Sequence, residues 1–385
     1  MGDERITRAM QAAVEARIFP GAVLHVQFRG EPVYQGACGD AALIPERTPA
    51  TLDTLYDLAS LTKPLATTTA IACLIQDGSL RLDDTLGAHF QELQGTELEA
   101  ATVSHLLHHS AGLPGWRPLY EDIAAQERQH AGRLGREAAK KSVIASLARE
   151  PLAYPRGAKS VYSDLGFILL GFLIERVTGR SLAGFCRERI YRPLGIRDLL
   201  FMPSDGEQGS ADGDRLVPGP IAPTEDDPWR RRLLCGEVHD ENAYALGGVA
   251  GHAGLFGTAA AVMTVADAWL KGYLGRSSFF QRDLVRRFVT RDPDMPESSW
   301  GLGWDTPSAP SSSGRHLSPQ SFGHLGFTGT SLWIDPAVEL AVVLLSNRVH
   351  PSRRDTRIQQ FRPLIHDAVY ETIIGSTASA DVAGS

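Results

Sequence analysis

The stretch LASLTKP, residues 58–64, places a serine and a lysine three residues apart at the start of a predicted helix. Pro64 favours a helix start here, because the first helical N–H groups have no internal partner and proline is tolerated only there. Ser60 and Lys63 therefore share one face of the first turn, where the helix dipole favours a developing anion. Serine and lysine also meet at this spacing on ordinary surface helices, so the interpretation depends on the other features of the chain.

The choice of lysine at position 63 is informative in this chain. It contains five lysines against thirty-three arginines. Arginine stays protonated in proteins, whereas a buried lysine can lose its proton and act as a base. Lys63 therefore indicates a chemical role beside Ser60 that arginine would not fill.

Composition is that of a globular protein, with 385 residues of which 43% are hydrophobic and 8% aromatic. The net charge of −7 argues against nucleic acid or an anionic membrane as the main partner. No apolar run reaches the ~18 residues that a membrane span needs. The cysteines are scattered without metal-like spacing and are interpreted as buried apolar side chains: Cys38, Cys73, Cys186 and Cys235.

The first residues, Met1 to Arg5, lack a basic region followed by an apolar stretch. No secretory leader is therefore predicted, and the expected location is cytoplasmic, or periplasmic or secreted if a leader has been removed. The oligomeric state stays open.

The pattern along the chain predicts a sheet built from its two ends. A helix over 4–17 precedes a hairpin of strands 21–28 and 32–37, and further strands are predicted at 300–304, 323–334 and 339–345. Helical patterns dominate the middle, including nearly all-apolar helices at 60–75 and 164–177 and another helix at 259–274. An irregular loop is expected at 203–232, and a last helix at about 354–374.

This arrangement predicts two domains with a cleft between them as the natural site. One domain combines residues 1–78 and 256–375 around the sheet, and a mainly helical domain, 79–255, is inserted into it. Residues 376–385 are expected to form a disordered tail.

Two further features support Ser60 as a nucleophile. Tyr162 lies just before a buried helix, and a nearby ammonium would lower its pKa enough to make it a proton acceptor for Ser60. The segment Gly323–Thr330 (GHLGFTGT) is rich in glycine, which marks close approach by a ligand or backbone, and it can offer an N–H group to an oxyanion. Each also has an ordinary structural explanation, as a packing tyrosine and a bulged edge strand.

A polar, glycine-dense segment is predicted to form a wall of the site. Four of its side chains are candidates to shape the cleft by hydrogen bonding: His239, Asp240, Asn242 and His252. A metal site at these residues is disfavoured, because no paired i, i+4 ligand motif accompanies them. His105, His108 and His109 do lie at helix spacing, but the segment 110–114 that follows them ends the helix. They are therefore interpreted as a packed helix end, with a metal site as the alternative. No G-x-S-x-G elbow surrounds Ser110, which argues against an α/β-hydrolase.

Three motifs occur in an order that resembles the class C β-lactamase-like serine hydrolases. They are Ser60-x-x-Lys63, Tyr162-Ser163-Asp164 and His324-Leu325-Gly326. This superfamily includes β-lactamases, D-alanyl-D-alanine carboxypeptidases and esterases with the β-lactamase fold. The likeness covers about residues 5–372. Four further stretches contribute to it: HLLHHSAGLP at 105–114, IAPTEDDPWRRR at 221–232, GEVHDENA at 236–243 and GGVAGHAGLF at 247–256.

The resemblance implies an α+β fold of the β-lactamase/transpeptidase type, with an antiparallel sheet flanked by the terminal helices. It also implies that Ser60 is acylated, that Lys63 and Tyr162 share general-base duty, and that the N–H groups of Ser60 and Phe327 bind the oxyanion. Asp164 and Gly326 would contact the substrate. No metal or organic cofactor is implied.

Two departures from the family pattern bear on the substrate. Asp164 replaces the usual asparagine of the second motif, and His324 replaces the lysine of the third. A histidine titrates near neutrality, so the permanent cation that holds a substrate carboxylate is missing. Arg348, after the last strand, is a candidate to supply part of that charge.

The sequence therefore predicts a serine hydrolase that acts through an acyl-enzyme on an ester or amide, with esters favoured. The alternatives are a D,D-carboxypeptidase or weak β-lactamase, and a penicillin-binding sensor that is acylated without turnover. The expected partner is a small-molecule or peptide substrate.

Overall fold

The structure, a computed structural model, describes residues 2–129, 137–203 and 219–383. Its strands are β1 (Gly21–Phe28), β2 (Glu31–Ala42), β3 (Thr48–Pro49), β4 (Tyr56–Asp57), β5 (Leu199–Phe201), β6 (Asp226–Asp227), β7 (Arg232–Leu233), β8 (Leu255–Gly257), β9 (Phe322–Leu325), β10 (Ser331–Asp335) and β11 (Leu340–Ser346).

Helices occupy the middle of the chain and both of its ends. They are α1 (Gly2–Glu15), α2 (Thr69–Gln76), α3 (Leu86–His89), α4 (Val103–Leu107), α5 (Leu119–Gln129), α6 (Glu137–Ala148), α7 (Asp164–Thr178), α8 (Leu182–Cys186), α9 (Glu241–Ala245), α10 (Ala259–Leu274), α11 (Arg282–Val289) and α12 (Ile358–Ala383). Shorter 3₁₀ or π turns occupy Ala59–Leu61, Lys63–Thr68, Gln91–Leu93 and Arg187–Tyr191.

The main sheet joins the two ends of the chain, as the sequence predicts. Its strand order is β3-β2-β1-β11-β10-β9, and every neighbouring pair is antiparallel. The N-terminal hairpin meets the C-terminal strands where Val23 of β1 lies opposite Leu345 of β11. The α+β fold with an antiparallel sheet is therefore confirmed.

Alternating side chains on the central strands fill two cores. Val342 and Leu344 of β11 pack with α1 and α12 on one face, whereas Val343 and Leu345 join the larger core on the other face, which includes α2, α7 and α10. Successive side chains of a strand point to opposite faces, so a strand buried on both sides is apolar at every position. The terminal helices therefore flank the sheet, and the larger core continues into the helical middle of the chain.

The predicted strand 323–334 is in fact a hairpin. The strands β9 and β10 pair with each other, and the turn between them runs over 326–330. Gly329 has a φ of +118°, which favours glycine over residues with a Cβ. The prediction for 300–304 is also wrong as a strand, because Trp300 makes only an isolated bridge to Asp305.

The predicted apolar helices are present. The helix at 60–75 begins with the 3₁₀ and π turns and continues as α2, because Pro64 lacks an N–H group and leaves the regular ladder to form only beyond it. The helix α7 ends at Gly179, whose φ of 65° is the left-handed conformation of a glycine cap.

Two predictions about irregular segments differ from the structure or lie outside it. The last helix extends to Ala383 instead of ending near 374, so most of the expected tail, 376–385, continues α12. In the expected loop 203–232, residues 204–218 lie outside the described residues, and the remainder includes the short strands β6 and β7. The division into sheet and helical domains stays a prediction. None of the described helices is both long and apolar enough to cross a membrane.

Candidate active site

The backbone before Ser60 is held in a strained conformation by a buried carboxylate. Ala59 has a φ of 47°, which is unfavourable for a residue with a Cβ. The Asp57 carboxylate accepts the N–H of Ala59 at 2.8 Å through one oxygen and the N–H of His239 at 2.7 Å through the other. The Thr328 hydroxyl donates to the Asp57 carbonyl at 2.7 Å, which ties the β9–β10 turn to the same segment. Asp57 was not predicted from the sequence as a site residue.

Lys63 is fully buried, and three acceptors face its ammonium. Its Nζ lies 2.6 Å from Oδ1 of Asp164, 3.0 Å from Oγ of Ser60 and 3.3 Å from the carbonyl oxygen of His252. An ammonium has three N–H donors and no acceptor. All three donors are therefore satisfied, and Lys63 donates to the Ser60 hydroxyl.

The surroundings keep Lys63 protonated. Burial lowers its pKa, but the negative charge of Asp164 and the interaction with Tyr162 outweigh burial, so the pKa of Lys63 is raised. The sequence-based interpretation of Lys63 as a neutral base therefore does not describe the resting state. Because the ammonium donates to Oγ, the proton of the Ser60 hydroxyl points toward another acceptor.

Tyr162 is the side chain placed to receive that proton. Its ring lies 4.8 Å from Nζ of Lys63, and the nearby Lys63 ammonium and Ser60 hydroxyl act to lower the pKa of its phenol. Burial raises the pKa more strongly than the Lys63 charge lowers it, and Asp164 adds to the increase. The net shift is upward, which reverses the lowering expected from the sequence. The phenol is consequently neutral at pH 7.

His324 does not supply the titrating cation that the sequence predicts. It is 2% exposed, and burial, followed by the repulsion from Lys63, lowers its pKa to about 3. Its Nδ1–H donates to the Leu325 carbonyl at 2.7 Å, and its Nε2 has no hydrogen-bond partner among the described residues. A neutral imidazole therefore stands at the position where the pattern of the resembled family usually has a lysine.

The β9–β10 turn carries Phe327 beside the Ser60 segment. The Thr330 hydroxyl donates to the Leu58 carbonyl at 3.0 Å. A Cβ at Gly326 would overlap Oγ1 of Thr330 and lie 2.5 Å from that same carbonyl oxygen, so glycine permits this close approach. Among the described residues, the backbone N–H groups of Ser60 and Phe327 have no acceptor, which is the state required of oxyanion donors.

The predicted wall residues lie around the site but are held by other parts of the protein. His239 bonds to Glu225 at 3.0 Å and stacks on Phe327 at 5.6 Å. The Asn242 amide links Arg117 and Tyr120, whose backbone groups it bonds at 2.9 Å each.

Asp240 and His252 form a pair next to Lys63. Their side chains lie 2.8 Å apart, and Asp240 also caps α9 by accepting the N–H of Ala243 at 2.7 Å. Burial raises the pKa of Asp240, but His252, the Ala243 N–H and the Lys63 charge together outweigh burial, so the net pKa is lowered. The pair supports the loop whose carbonyl receives a hydrogen bond from Lys63.

Arg348 lies beneath Phe327 and does not face the substrate side as a free cation. Its Nε donates to the Phe327 carbonyl at 2.9 Å, and its Nη1 donates to the carbonyls of Arg353 and Asp355 at 2.9 and 2.7 Å. Its guanidinium stacks on the Phe327 ring at 4.5 Å. These contacts argue against Arg348 as the group that binds a substrate carboxylate.

His109 is a neighbour of Tyr162 that the sequence placed at a helix end and not in the site. Its ring lies 4.8 Å from the ring of Tyr162 and 4.6 Å from that of Trp300, and its Nδ1 accepts the N–H of Ser163 at 3.1 Å. Burial, with Lys63 second, lowers its pKa well below 6.5. The HHSAGLP segment was its only sequence signal.

Within residues 2–129, 137–203 and 219–383, no group of His, Cys, Asp or Glu is arranged to hold a metal ion.

A family model described as Beta-lactamase matches residues 6–364. This chain belongs to the beta-lactamase family. The predicted resemblance is confirmed, and the protein is a serine hydrolase of this family. A relative from Escherichia coli O157:H7, provisionally named a D-alanyl-D-alanine carboxypeptidase, is 34% identical over 359 residues, which cover 86% of this chain and 79% of the relative.

Solved structures share the fold across nearly the whole chain. One is described as "EstCE1, a hydrolase with promiscuous acyltransferase activity"; it has a TM-score of 0.72 and 20% identity, and the match covers 95% of this chain and 98% of that one. Another is a penicillin-binding protein homologue from Caulobacter crescentus, with a TM-score of 0.71, 21% identity and coverage of 97% and 98%. At these identities the likeness establishes the β-lactamase fold.

Proposed function

We propose that this protein is an esterase in which uncharged esters acylate Ser60. The observation that carries this proposal is the neutral, buried imidazole of His324, at the position where a cation would hold a substrate carboxylate. An ester without a carboxylate needs no such cation. Its alcohol is also a better leaving group than an amine and requires less protonation.

In the acylation step, Oγ of Ser60 attacks the ester carbonyl and loses its proton to the Tyr162–Lys63 pair. The N–H groups of Ser60 and Phe327 bind the negative oxygen of the tetrahedral intermediate. The pair returns the proton to the departing alkoxide, which leaves as the alcohol. Water then attacks the acyl-enzyme by the same proton path and releases the acid, and an alcohol in place of water would give a new ester.

The pair can accept a proton only after losing one, because Lys63 is an ammonium and Tyr162 a phenol in the resting state. The two groups are coupled, so the proton that leaves belongs to the pair and not to one residue. The reactive form is Ser60 beside a pair that carries one positive charge fewer. Its population rises with pH.

Aromatic side chains favour apolar groups on the ester. Phe327 is 50% exposed beside its own oxyanion donor, and Trp116 is 43% exposed. Trp116 directly follows Gly115, whose carbonyl accepts the N–H of Asp164 at 2.9 Å. Tyr120 connects Trp116 to Trp229, with ring centroids 6.4 and 4.7 Å away.

A second candidate function is D,D-carboxypeptidase activity. It is favoured by the 34% identity to the Escherichia coli relative with that provisional name. It requires a cation for the terminal carboxylate, and Arg348 is engaged with three backbone carbonyls. We therefore rank it below the esterase.

The two functions are tested by measuring hydrolysis of three substrates by the wild type and by Ser60→Ala. The substrates are p-nitrophenyl butyrate, a D-Ala-D-Ala peptide and a penicillin. The expected result is ester hydrolysis that Ser60→Ala abolishes, with kcat/KM for the peptide lower by about 10²-fold or more. More than a tenth of the wild-type ester activity in Ser60→Ala would exclude Ser60 as the nucleophile.

Intact-protein mass after addition of penicillin separates the remaining alternatives. A long-lived adduct on wild type, without ester turnover, would identify a penicillin-binding sensor. A peptide preferred over the ester would identify the carboxypeptidase.

A further inference from the structure

Arg362 is a buried cation on α12 that lies directly behind the β9–β10 turn. It is 5% exposed, and it forms no ion pair with any carboxylate of the described residues. Its Nη2 donates to the Gly326 carbonyl at 2.6 Å and to the Thr330 carbonyl at 2.8 Å. Burying an unpaired guanidinium is costly, so its retention at this place requires an explanation.

The two carbonyls that Arg362 binds are the two ends of the turn. Gly326 N–H also donates to the Thr330 carbonyl, at 2.8 Å, so one guanidinium nitrogen joins both sides of the hairpin where the chain reverses. These contacts thereby fix the position of Phe327, which lies between the two ends of the turn.

The Gly326 carbonyl belongs to the same peptide group as the Phe327 N–H. A cation that hydrogen-bonds the carbonyl oxygen withdraws electron density from the whole amide, and the N–H becomes a stronger donor. The next carbonyl, that of Phe327, accepts a hydrogen bond from Arg348 at 2.9 Å. Two guanidinium groups therefore act on consecutive peptide groups at the oxyanion donor.

We propose that Arg362 is a positioning residue of the oxyanion site, which orients and polarises the Gly326–Phe327 peptide group. Its buried charge stabilises the negative oxygen of the tetrahedral intermediate through that peptide, without touching the substrate. This inference rests on the proposed function, because it assumes that Phe327 N–H faces an oxyanion during ester hydrolysis. Arg362 then contributes to transition-state binding and not to ground-state binding.

The test compares Arg362→Met, which removes the charge at similar length, with Arg362→Lys, which keeps it. For p-nitrophenyl butyrate, Arg362→Met is expected to lower kcat by about 10- to 100-fold with KM changed less than about 3-fold. Arg362→Lys should recover most of that loss. Val369→Ala, a buried change on the same helix, serves as the control for lost stability.

Inhibitors distinguish polarisation from a merely structural role. n-Butylboronic acid forms an anionic tetrahedral adduct with the serine, whereas the ether analogue of the substrate binds only in the ground state. The boronic acid should lose affinity in Arg362→Met in proportion to kcat, and the ether should not. Equal losses for both inhibitors, or an unchanged kcat, would overturn the inference.

If Arg362→Met does not fold, Arg362→Gln replaces it in the same comparison with Arg362→Lys, and the same outcomes decide. Ser60→Ala, measured in parallel, separates failure of the proposed esterase function from failure of the role of Arg362. Activity that survives Ser60→Ala defeats the proposed function itself. Activity that is lost there but insensitive to the charge at 362 defeats only this inference.

Discussion

The ammonium of Lys63 and the carboxylate of Asp164 form an ion pair with an N···O distance of 2.6 Å, although they are 101 residues apart in the chain. The side chain of Lys63 is fully buried and that of Asp164 is 17% exposed. Where the second motif of the family usually has a neutral asparagine, this chain places a negative charge against its lysine. The proton balance of the site follows from that pair.

Asp164→Asn should move the pH dependence of ester hydrolysis. Asp164 raises the pKa values of both Lys63 and Tyr162, so the wild-type pair loses its proton only above neutral pH, and kcat/KM should still increase above pH 7. Without that negative charge the ascending limb of kcat/KM should shift to lower pH by about 1 unit or more.

The shift is measured from kcat/KM against pH, at constant ionic strength. Glu175→Gln is a matched control, because Glu175 lies on the same helix and pairs with Lys140 at 2.8 Å, away from Ser60. An ascending limb that stays at the wild-type pH in Asp164→Asn would show that Asp164 does not set the proton affinity of the pair.

His324→Gln should leave the pH profile between about 5.5 and 7.5 unchanged, because His324 is already neutral there. His324→Lys adds a cation, and should raise the ratio of kcat/KM for a carboxylated ester to that for the matching neutral ester by about 10-fold. Kinetics of the two esters on wild type and both variants measure this. A limb that disappears in His324→Gln would mean that His324 titrates in this range.

Gly326→Ala should impair catalysis more than it changes the fold. The added methyl group overlaps Oγ1 of Thr330 and crowds the Leu58 carbonyl, so the turn that carries Phe327 must shift relative to the Ser60 segment. A fall in kcat of about 10-fold or more is expected, since oxyanion donors act only at the right distance. Gly375→Ala on α12 is the control, because among the described residues no atom outside the adjacent helix backbone lies within 4 Å of the added Cβ. Wild-type kcat in Gly326→Ala would argue against this turn as the oxyanion site.

The protein should lose stability as the pH falls below 6.5. Burial lowers the pKa of His324 to about 3, that of His366 to about 4 and that of His109 well below 6.5. Between pH 6.5 and 4.5 the unfolded chain binds protons at these histidines that the folded chain does not, so the three groups decrease the free energy of unfolding as the pH falls. Asp305, whose pKa burial raises to about 6, has the opposite effect and offsets about one of them. Each such histidine contributes about 1.4 kcal/mol per pH unit.

Urea unfolding at several pH values from 4.5 to 7 measures this dependence. His366→Gln removes one of the three histidines, and should reduce the slope of the unfolding free energy against pH by about 1.4 kcal/mol per pH unit. His89→Gln, at a half-buried position, is the control. An identical slope in His366→Gln and wild type would mean that His366 is not held neutral by burial.

Much of this architecture could be predicted from local patterns. Pro64 and the apolar run after it indicated the helix behind Ser60, and the apolar strands 21–28 and 339–345 indicated a sheet built from both ends of the chain. The 323–334 segment was misinterpreted as one strand, because the apolar pattern continues through the turn at 326–330 and only the pairing of β9 with β10 reveals it. Of the site, the spacing of Ser60 and Lys63 and the position of Tyr162 could be predicted.

The sequence by itself determined which reactive side chains are present and which of them are neighbours along the chain. The tertiary structure decided their charges, because a pKa depends on burial and on partners brought together by packing. A lysine predicted to be a base is an ammonium held by Asp164, and a histidine predicted to titrate near neutrality is buried and neutral. Packing of α12 against the β9–β10 turn likewise brings the Arg362 guanidinium to the Gly326 carbonyl, next to Phe327. These two residues are 36 positions apart in the chain, so no local sequence pattern indicates their contact.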